Sequence, residues 1–270
     1  MELTIGFSPC PNDTFIFDAL VNGAIDTGPI RFLPQMHDVE QLNRQSLEHT
    51  WDICKISYGV LHKLLDHYKL LNSGGALGVG VGPLLIANSQ QVATVNPTMP
   101  VAIPGEHTTA HFLFANTFPE YTNKVFMPYH AIEEFVQSGK GLGVIIHENR
   151  FTYAHKGLHC LADLGALWEN QTQLPIPLGG IVIRRSIDVS IQQQIEGLIQ
   201  QSIRHAYSKY PVLSPFVAMH AQEMDGDVMK KHVDLYVNDY TDSLGVEGRK
   251  AVLTLLSFFN DSHSETEIFV

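Results

Sequence analysis

The sequence predicts an α/β protein of two lobes, built on parallel-rich sheets and joined by two crossings of the chain. Three observations carry that expectation. Short apolar runs alternate with amphipathic stretches from residue 3 to residue 65, the pattern of strands joined by helical crossovers. A second, smaller set of the same alternation begins after Pro100. Segments rich in glycine and proline separate the two sets, at 73–83 and around Pro175 and Pro177. At 270 residues the chain has room for one large domain or two small ones, either of which buries a core.

Residues 3–7 read as a short buried strand. Pro11-Asn12-Asp13-Thr14 then supplies cap chemistry for a helix that runs to Val21 and stops at Asn22-Gly23. Residues 29–33 form a second strand; Asp38 with Gln41 three places on resembles a capping box, and Val39, Leu42 and Leu47 share one helical stripe. Residues 53–57 are a third strand, leading into a helix with Val60, Leu61, Leu64 and Leu65 on its apolar side. Such alternation predicts parallel pairing through right-handed crossovers. Five glycines fall in the nine positions 74–82, ahead of the apolar run 84–87. No dinucleotide or Walker spacing fits there, and the stretch reads as a hinge strand.

Beyond Pro100 come strand 101–103, loop 104–107, a helix from Thr108 to about Asn116, strand 124–127, helix 131–138 and strand 142–146. Strand 178–183 follows the return crossing at Pro175 and Pro177. Thereafter the chain is helical, with Ile191, Ile195, Leu198, Ile199 and Ile203 as one stripe and Val252, Leu253, Leu256 and Phe259 as another. Residues 1–96 and 178–270 are expected to make the larger lobe, completed by the C-terminal helices, and 97–177 the smaller one, with a ligand cleft between them.

Composition narrows the function. Apolar residues make up 44% and charged residues 17% of the chain, the balance of a globular protein. Seventeen Lys and Arg against 28 Asp and Glu leave a net charge of −11, which repels nucleic acid and anionic membrane, so neither is an expected partner. The start MELTIGFSPCPNDTF lacks a basic and then apolar leader, and no apolar run approaches the roughly 18 residues of a spanning helix. A cytoplasmic protein is expected. Cys10, Cys54 and Cys160, odd in number and widely spaced, read as reduced thiols. The sequence carries no signal for oligomeric state.

Ligands of open parallel sheets bind beyond the carboxyl ends of the strands. Four segments stand there: Ser8-Pro9-Cys10-Pro11-Asn12-Asp13, Lys55-Ile56-Ser57-Tyr58, Gly105-Glu106-His107-Thr108-Thr109-Ala110 and His147-Glu148. Thr108, Thr109 and Ala110 put hydroxyls and free backbone N–H groups at a helix start, which favours an anion such as a carboxylate. A threonine that only caps its own helix is an equal reading. His147 emerges from the buried run 142–146, and an imidazole, which ordinarily titrates near neutral pH, suits a general base; a histidine hydrogen-bonded for structure is the competing reading. Glu148 points to the opposite face if the strand continues, so it is not paired with His147.

No metal is expected. His107 and His111 lie four apart but lack the acid that H-E-x-x-H places directly after its first histidine. His155, His159 and Cys160 have no fourth ligand at suitable spacing and read as exposed loop. Cys10, with no assigned partner, reads as an inert thiol.

Together, Gly6-Phe7-Ser8-Pro9-Cys10-Pro11-Asn12-Asp13-Thr14-Phe15, Lys55-Ile56-Ser57-Tyr58, Ser73-Gly74-Gly75-Ala76-Leu77-Gly78, Pro104-Gly105-Glu106-His107-Thr108-Thr109-Ala110 and Ile146-His147-Glu148-Asn149-Arg150-Phe151-Thr152-Tyr153 resemble the 1,4-dihydroxy-6-naphthoate synthase family, in order and spacing. The resemblance runs from one end of the chain to the other. It implies a fold similar to type II periplasmic binding proteins and catalysis with neither metal nor organic cofactor. It also implies the cleavage of cyclic dehypoxanthinyl futalosine, a small-molecule carboxylate, into 1,4-dihydroxy-6-naphthoate and dihydroxyacetone, a carbon–carbon lyase step of the futalosine route to menaquinone. By the same resemblance His147 is the proton acceptor, and Lys55, Ile56, Ser57, Thr109 and Ala110 fall on substrate-contacting segments. Thr108 and Asn12 join them as expected substrate contacts.

Two other readings compete: a non-catalytic protein that binds a small carboxylate, and the related chorismate dehydratase of the same pathway. An exported receptor would carry a leader, whereas this sequence starts within a residue or two of its first expected strand. The paired Thr108-Thr109 and the run Ile146-His147-Glu148 favour the naphthoate synthase over the dehydratase.

Overall fold

The computed structural model describes residues 1–221 and 225–270. In chain order its strands are β1 (Glu2–Phe7), β2 (Arg31–Met36), β3 (Ile53–Ser57), β4 (Tyr68–Leu70), β5 (Ala76–Gly78), β6 (Leu84–Asn88), β7 (Val101–Ile103), β8 (Lys124–Phe126), β9 (Leu142–Ile145), β10 (Leu158–Asp163) and β11 (Ile176–Arg184). One sheet has the order β2-β1-β3-β11-β4, with β5 also on β11; the other has the order β10-β6-β9-β7-β8. Each sheet is the spine of one lobe.

The chain leaves the first sheet after β5, crosses at 79–83, where Gly80 takes a left-handed φ of +72°, and returns at 173–175. The first crossing thus precedes the boundary expected at 96–97. The glycine-rich stretch expected as a hinge strand is divided: 76–78 pair with β11, while the apolar run 84–87 belongs to β6, flanked by β9 and β10 inside the second sheet.

Both sheets are mixed. β1 pairs in parallel with β2 and β3, and β7 with β8 and β9, as strands joined by helical crossovers do. β11 runs antiparallel to β3, β4 and β5, and β6 antiparallel to β9 and β10. These two strands adjoin the crossings, so no crossover helix sets their direction.

Local chemistry accounts for the elements between. Asp38 caps the helix Val39–Leu47 by accepting from Glu40 N at 2.9 Å; among the described residues no return bond from Gln41 completes a capping box. The helix after β3 covers only Tyr58–Leu61, with Leu64 and Leu65 buried in the turns that follow. His159 and Cys160, expected in a loop, are exposed residues of β10.

Phe7, Ile16, Phe17, Ile181, Ile195 and Ile199 fill the space between the first sheet and the helices Pro11–Val21 and Val189–Tyr207. A larger cluster, including Leu61, Ile103, Phe114, Trp168 and Leu255, is continuous through both lobes. Each such side chain contributes on the order of 1.5–3 kcal/mol by leaving water. The C-terminal residues close the first lobe, with Val270 N donating to Leu70 O at 3.1 Å. Among the described residues no helix is long and apolar enough to cross a membrane.

Candidate active site

β1 and β3 are parallel neighbours, so the segments that follow them reach the same end of the sheet. After β1, Pro11 opens a helix whose first turn holds Asp13. Asp13 Oδ2 accepts from Ser8 N (3.2 Å) and Ser8 Oγ (2.7 Å), and Oδ1 accepts from Asn12 Nδ2 (2.9 Å). Lys55, on β3, brings Nζ to 3.3 Å from Asp13 Oδ1 and donates to Gly74 O at 2.5 Å. Both charges are buried. Such a pair persists only because other hydrogen bonds satisfy its remaining groups.

Asn43 turns the end of β3 into a fixed surface: its Oδ1 accepts from Ser57 N (2.9 Å) and its Nδ2 donates to Ser57 Oγ (3.0 Å). The Ser57 hydroxyl keeps its own proton for a ligand. From the second lobe comes the helix Thr109–Thr117, capped by Thr108, whose Oγ1 accepts from His111 N (3.1 Å) and donates to Gly105 O (2.9 Å). Thr109 Oγ1 donates to Leu178 O (2.7 Å) and accepts from Gly59 N (3.0 Å), tying the two lobes together. Both threonine hydroxyls are therefore engaged. The backbone N–H groups of Thr109 and Ala110 have no partner among the described residues, and they are the donors left for an anion.

β9 stops at Ile145, and His147 takes a left-handed φ of +57°, uncommon for a residue with a side chain. That turn ends the alternation on which the expected direction of Glu148 rested. Glu148 reaches the first lobe instead, with Oε2 3.8 Å from His232 Nδ1, while Tyr129 donates its hydroxyl to Oε1 at 3.4 Å.

The His147 ring meets the edge of Tyr129 (centroids 4.9 Å) and lies 15° from parallel to His232 (5.9 Å), and its Nδ1 is 3.9 Å from Cys10 Sγ. Burial first, and then the Glu148 carboxylate, push the Cys10 thiol well up. That shift disfavours the thiolate that a Cys–His reaction needs. His232 is 1% exposed, and burial followed by the neighbouring His147 holds its ring well below the usual histidine range. Its neutral Nε2–H faces Asn12 Oδ1 at 2.9 Å.

Asn12, Lys55, Ile56, Ser57, Thr108, Thr109, Ala110 and His147 line one cavity between the lobes. Three neighbours are not among the expected substrate contacts. Asp13, expected at the cleft as the last residue of the segment after β1, is the carboxylate that gathers Ser8, Asn12 and Lys55. Tyr129 and His232 come from elements far along the chain; the one local signal for His232 is a histidine among Met229, Val233 and Tyr236 on the buried side of the helix Gly226–Tyr236. Among the described residues no three His, Cys, Asp or Glu side chains gather as metal ligands.

Two α/β lobes around a cleft of this kind define a periplasmic-binding-protein-like fold. A crystal structure of a protein from Archaeoglobus fulgidus has it, with a TM-score of 0.89 at 29% identity over 96% of this chain and 97% of that chain. The periplasmic aliphatic sulphonate binding protein of Escherichia coli shares the fold alone, with a TM-score of 0.66 at 12% identity over 96% and 86%. A family model described as menaquinone biosynthesis matches residues 3–261. A 1,4-dihydroxy-6-naphtoate synthase of Streptomyces coelicolor is 42% identical over 261 residues, 94% of this chain and 92% of the relative. Another, of Thermus thermophilus, is 41% identical over 256 residues, 94% and 93%. The chain belongs to the menaquinone biosynthesis family, together with these enzymes.

Proposed function

We propose that the protein is a cytoplasmic carbon–carbon lyase that converts cyclic dehypoxanthinyl futalosine to 1,4-dihydroxy-6-naphthoate and dihydroxyacetone, with His147 as the proton acceptor. One observation carries this reading: His147 from the second lobe and Lys55, Ile56 and Ser57 from the first line the same cavity. The identity to two enzymes named as naphthoate synthases supports it.

The substrate carboxylate sits on the N–H groups of Thr109 and Ala110, with the Ser57 hydroxyl and the Lys55 ammonium beside them. His147, as free base, takes a proton from the sugar-derived part of the substrate. The carbon–carbon bond then breaks, and aromatisation of the new ring draws the reaction forward. Contact between the lobes excludes water and aligns the base. Neither a metal nor an organic cofactor takes part in this reading.

The test is to incubate purified protein and EDTA with cyclic dehypoxanthinyl futalosine and to follow 1,4-dihydroxy-6-naphthoate by mass spectrometry. Product from the wild type and a kcat lowered roughly 10²- to 10⁴-fold in His147→Ala, with KM little changed, is the expected result. Near wild-type turnover in the variant would remove His147 from the mechanism. Tight binding of the substrate without product would leave a carboxylate-binding protein, and dehydration of chorismate would make the protein the neighbouring pathway enzyme.

A further inference from the structure

Adjoining His147 is a recess of about 10 Å³ lined by Cys10, Tyr129, Glu148 and His232. His147 touches both spaces: it lines the substrate cavity, and its ring packs on Cys10, Tyr129 and His232.

Asn12 Nδ2 is committed to Asp13, so Asn12 Oδ1 is the acceptor that faces His232 Nε2, and Nε2 carries the ring proton. His232 Nδ1 is then a bare lone pair, fully buried and without a hydrogen-bond partner among the described residues. Opposite it stands a second acceptor, Glu148 Oε2, at 3.8 Å, too far for a direct hydrogen bond. A molecule with two donors, seated beside the pair within hydrogen-bond reach of each, satisfies both. Water fits: a site needs roughly 10–15 Å³ and two to four polar partners to hold one.

We propose that this recess is a binding site for one water, which bridges His232 Nδ1 to Glu148 Oε2 and makes His232 a positioning residue for His147; its kinetic consequence rests on the lyase reading above. The water donates one hydrogen to each acceptor, so His232 Nδ1 needs no proton of its own. His232 belongs to the first lobe and Glu148 to the second, so the bridge joins the lobes beside the base. It also holds a carboxylate near the ring that becomes a cation when it takes the substrate proton. Tyr129, on the other carboxylate oxygen, leaves Oε2 turned to the recess.

A crystal structure of the full chain, at a resolution that orders water, tests the site directly. Density for a water within about 3.2 Å of both His232 Nδ1 and Glu148 Oε2 is expected. A structure without it, or with the two side chains in direct contact, overturns the proposal. In kinetics, His232→Gln keeps a donor for Asn12 and an acceptor for the water and should hold kcat within about fivefold, whereas His232→Phe loses both and should lower kcat about 10²-fold with KM within about threefold. A Phe variant within twofold of wild type, or a Gln variant as impaired as Phe, contradicts the positioning role. Should the Phe variant fail to fold, Glu148→Gln decides: it keeps the shape, removes the charge and should lower kcat about tenfold, and unchanged kcat contradicts the role. Wild type inactive on cyclic dehypoxanthinyl futalosine would fail the lyase reading alone, because the density needs no substrate.

Discussion

Lys55 Nζ lies 3.3 Å from Asp13 Oδ1 at the wall of the cleft, and the two side chains are 6% and 4% exposed. Asp13 also gathers Ser8 and Asn12, so one carboxylate holds the ends of two strands in register with each other. Removing the carboxylate strands an ammonium away from water, which costs about 3–5 kcal/mol, whereas replacing both partners by apolar groups is often neutral. Asp13→Asn should lower the unfolding free energy by about that much in urea titration, and adding Lys55→Met should recover part of it without restoring turnover. A loss below about 1 kcal/mol would mean that the pair is not what holds the loops.

Gly59 is a second junction, set by a close approach rather than by backbone conformation. A Cβ placed there would stand 2.8 Å from Thr108 O and 3.0 Å from Thr109 Cα, both backbone atoms that cannot swing aside. Gly59 N also donates to Thr109 Oγ1 at 3.0 Å. Gly59→Ala should therefore push back the helix start that offers its free N–H groups to the substrate. KM is expected to rise about tenfold or more with a smaller change in kcat, read from steady-state kinetics; an unchanged KM would show that Thr109 and Ala110 do not hold the carboxylate.

The parts of the cleft that the sequence made legible are the ones that depend on local pattern. Apolar runs bounded by breakers correspond residue for residue to β3 and β7, strands buried on both faces. Strand-end segments could be placed at the cleft because parallel strands direct them there. β4 has only three residues, and β10 mixes exposed His159 and Cys160 with apolar neighbours, so neither leaves a clear period. Direction is invisible to periodicity, which is why the antiparallel entry of β6 and β11 had to come from the structure. His232 meets Asn12 across 220 residues of chain, a relation that no local pattern encodes.

The three thiols should separate by burial. Cys10 and Cys54 are buried, and desolvation pushes both thiols up, while Cys160 is exposed on β10. Cys160 is raised as well, by partial burial and then by Asp163, yet a disulfide reagent can reach it. In a colorimetric thiol titration of the native protein one equivalent should react first and the other two only on unfolding, and Cys160→Ser should abolish the early phase. Early labelling of Cys10 would mean that the Cys10–His147 contact is open to solvent in the resting protein.

Acid should destabilise the protein through its buried histidine. Desolvation, with His147 second, lowers the folded pKa of His232 well below its ordinary value. As pH falls the unfolded chain therefore takes up this proton before the folded one does, and stability, full above about pH 6.5, is lost below it at a slope approaching 1.4 kcal/mol per pH unit. His62 and His111, about half-buried, shift in the same direction and add to the slope with solvent screening. Glu196, raised by its own burial, works the other way. Urea midpoints at about pH 7.5, 6.5 and 5.5 should change little over the first step and fall over the second for the wild type, and fall less for His232→Gln, by up to one proton's worth of slope. Equal slopes in the two proteins would show that His232 takes its proton in the folded state, and the neutral ring beside His147 would have to be abandoned.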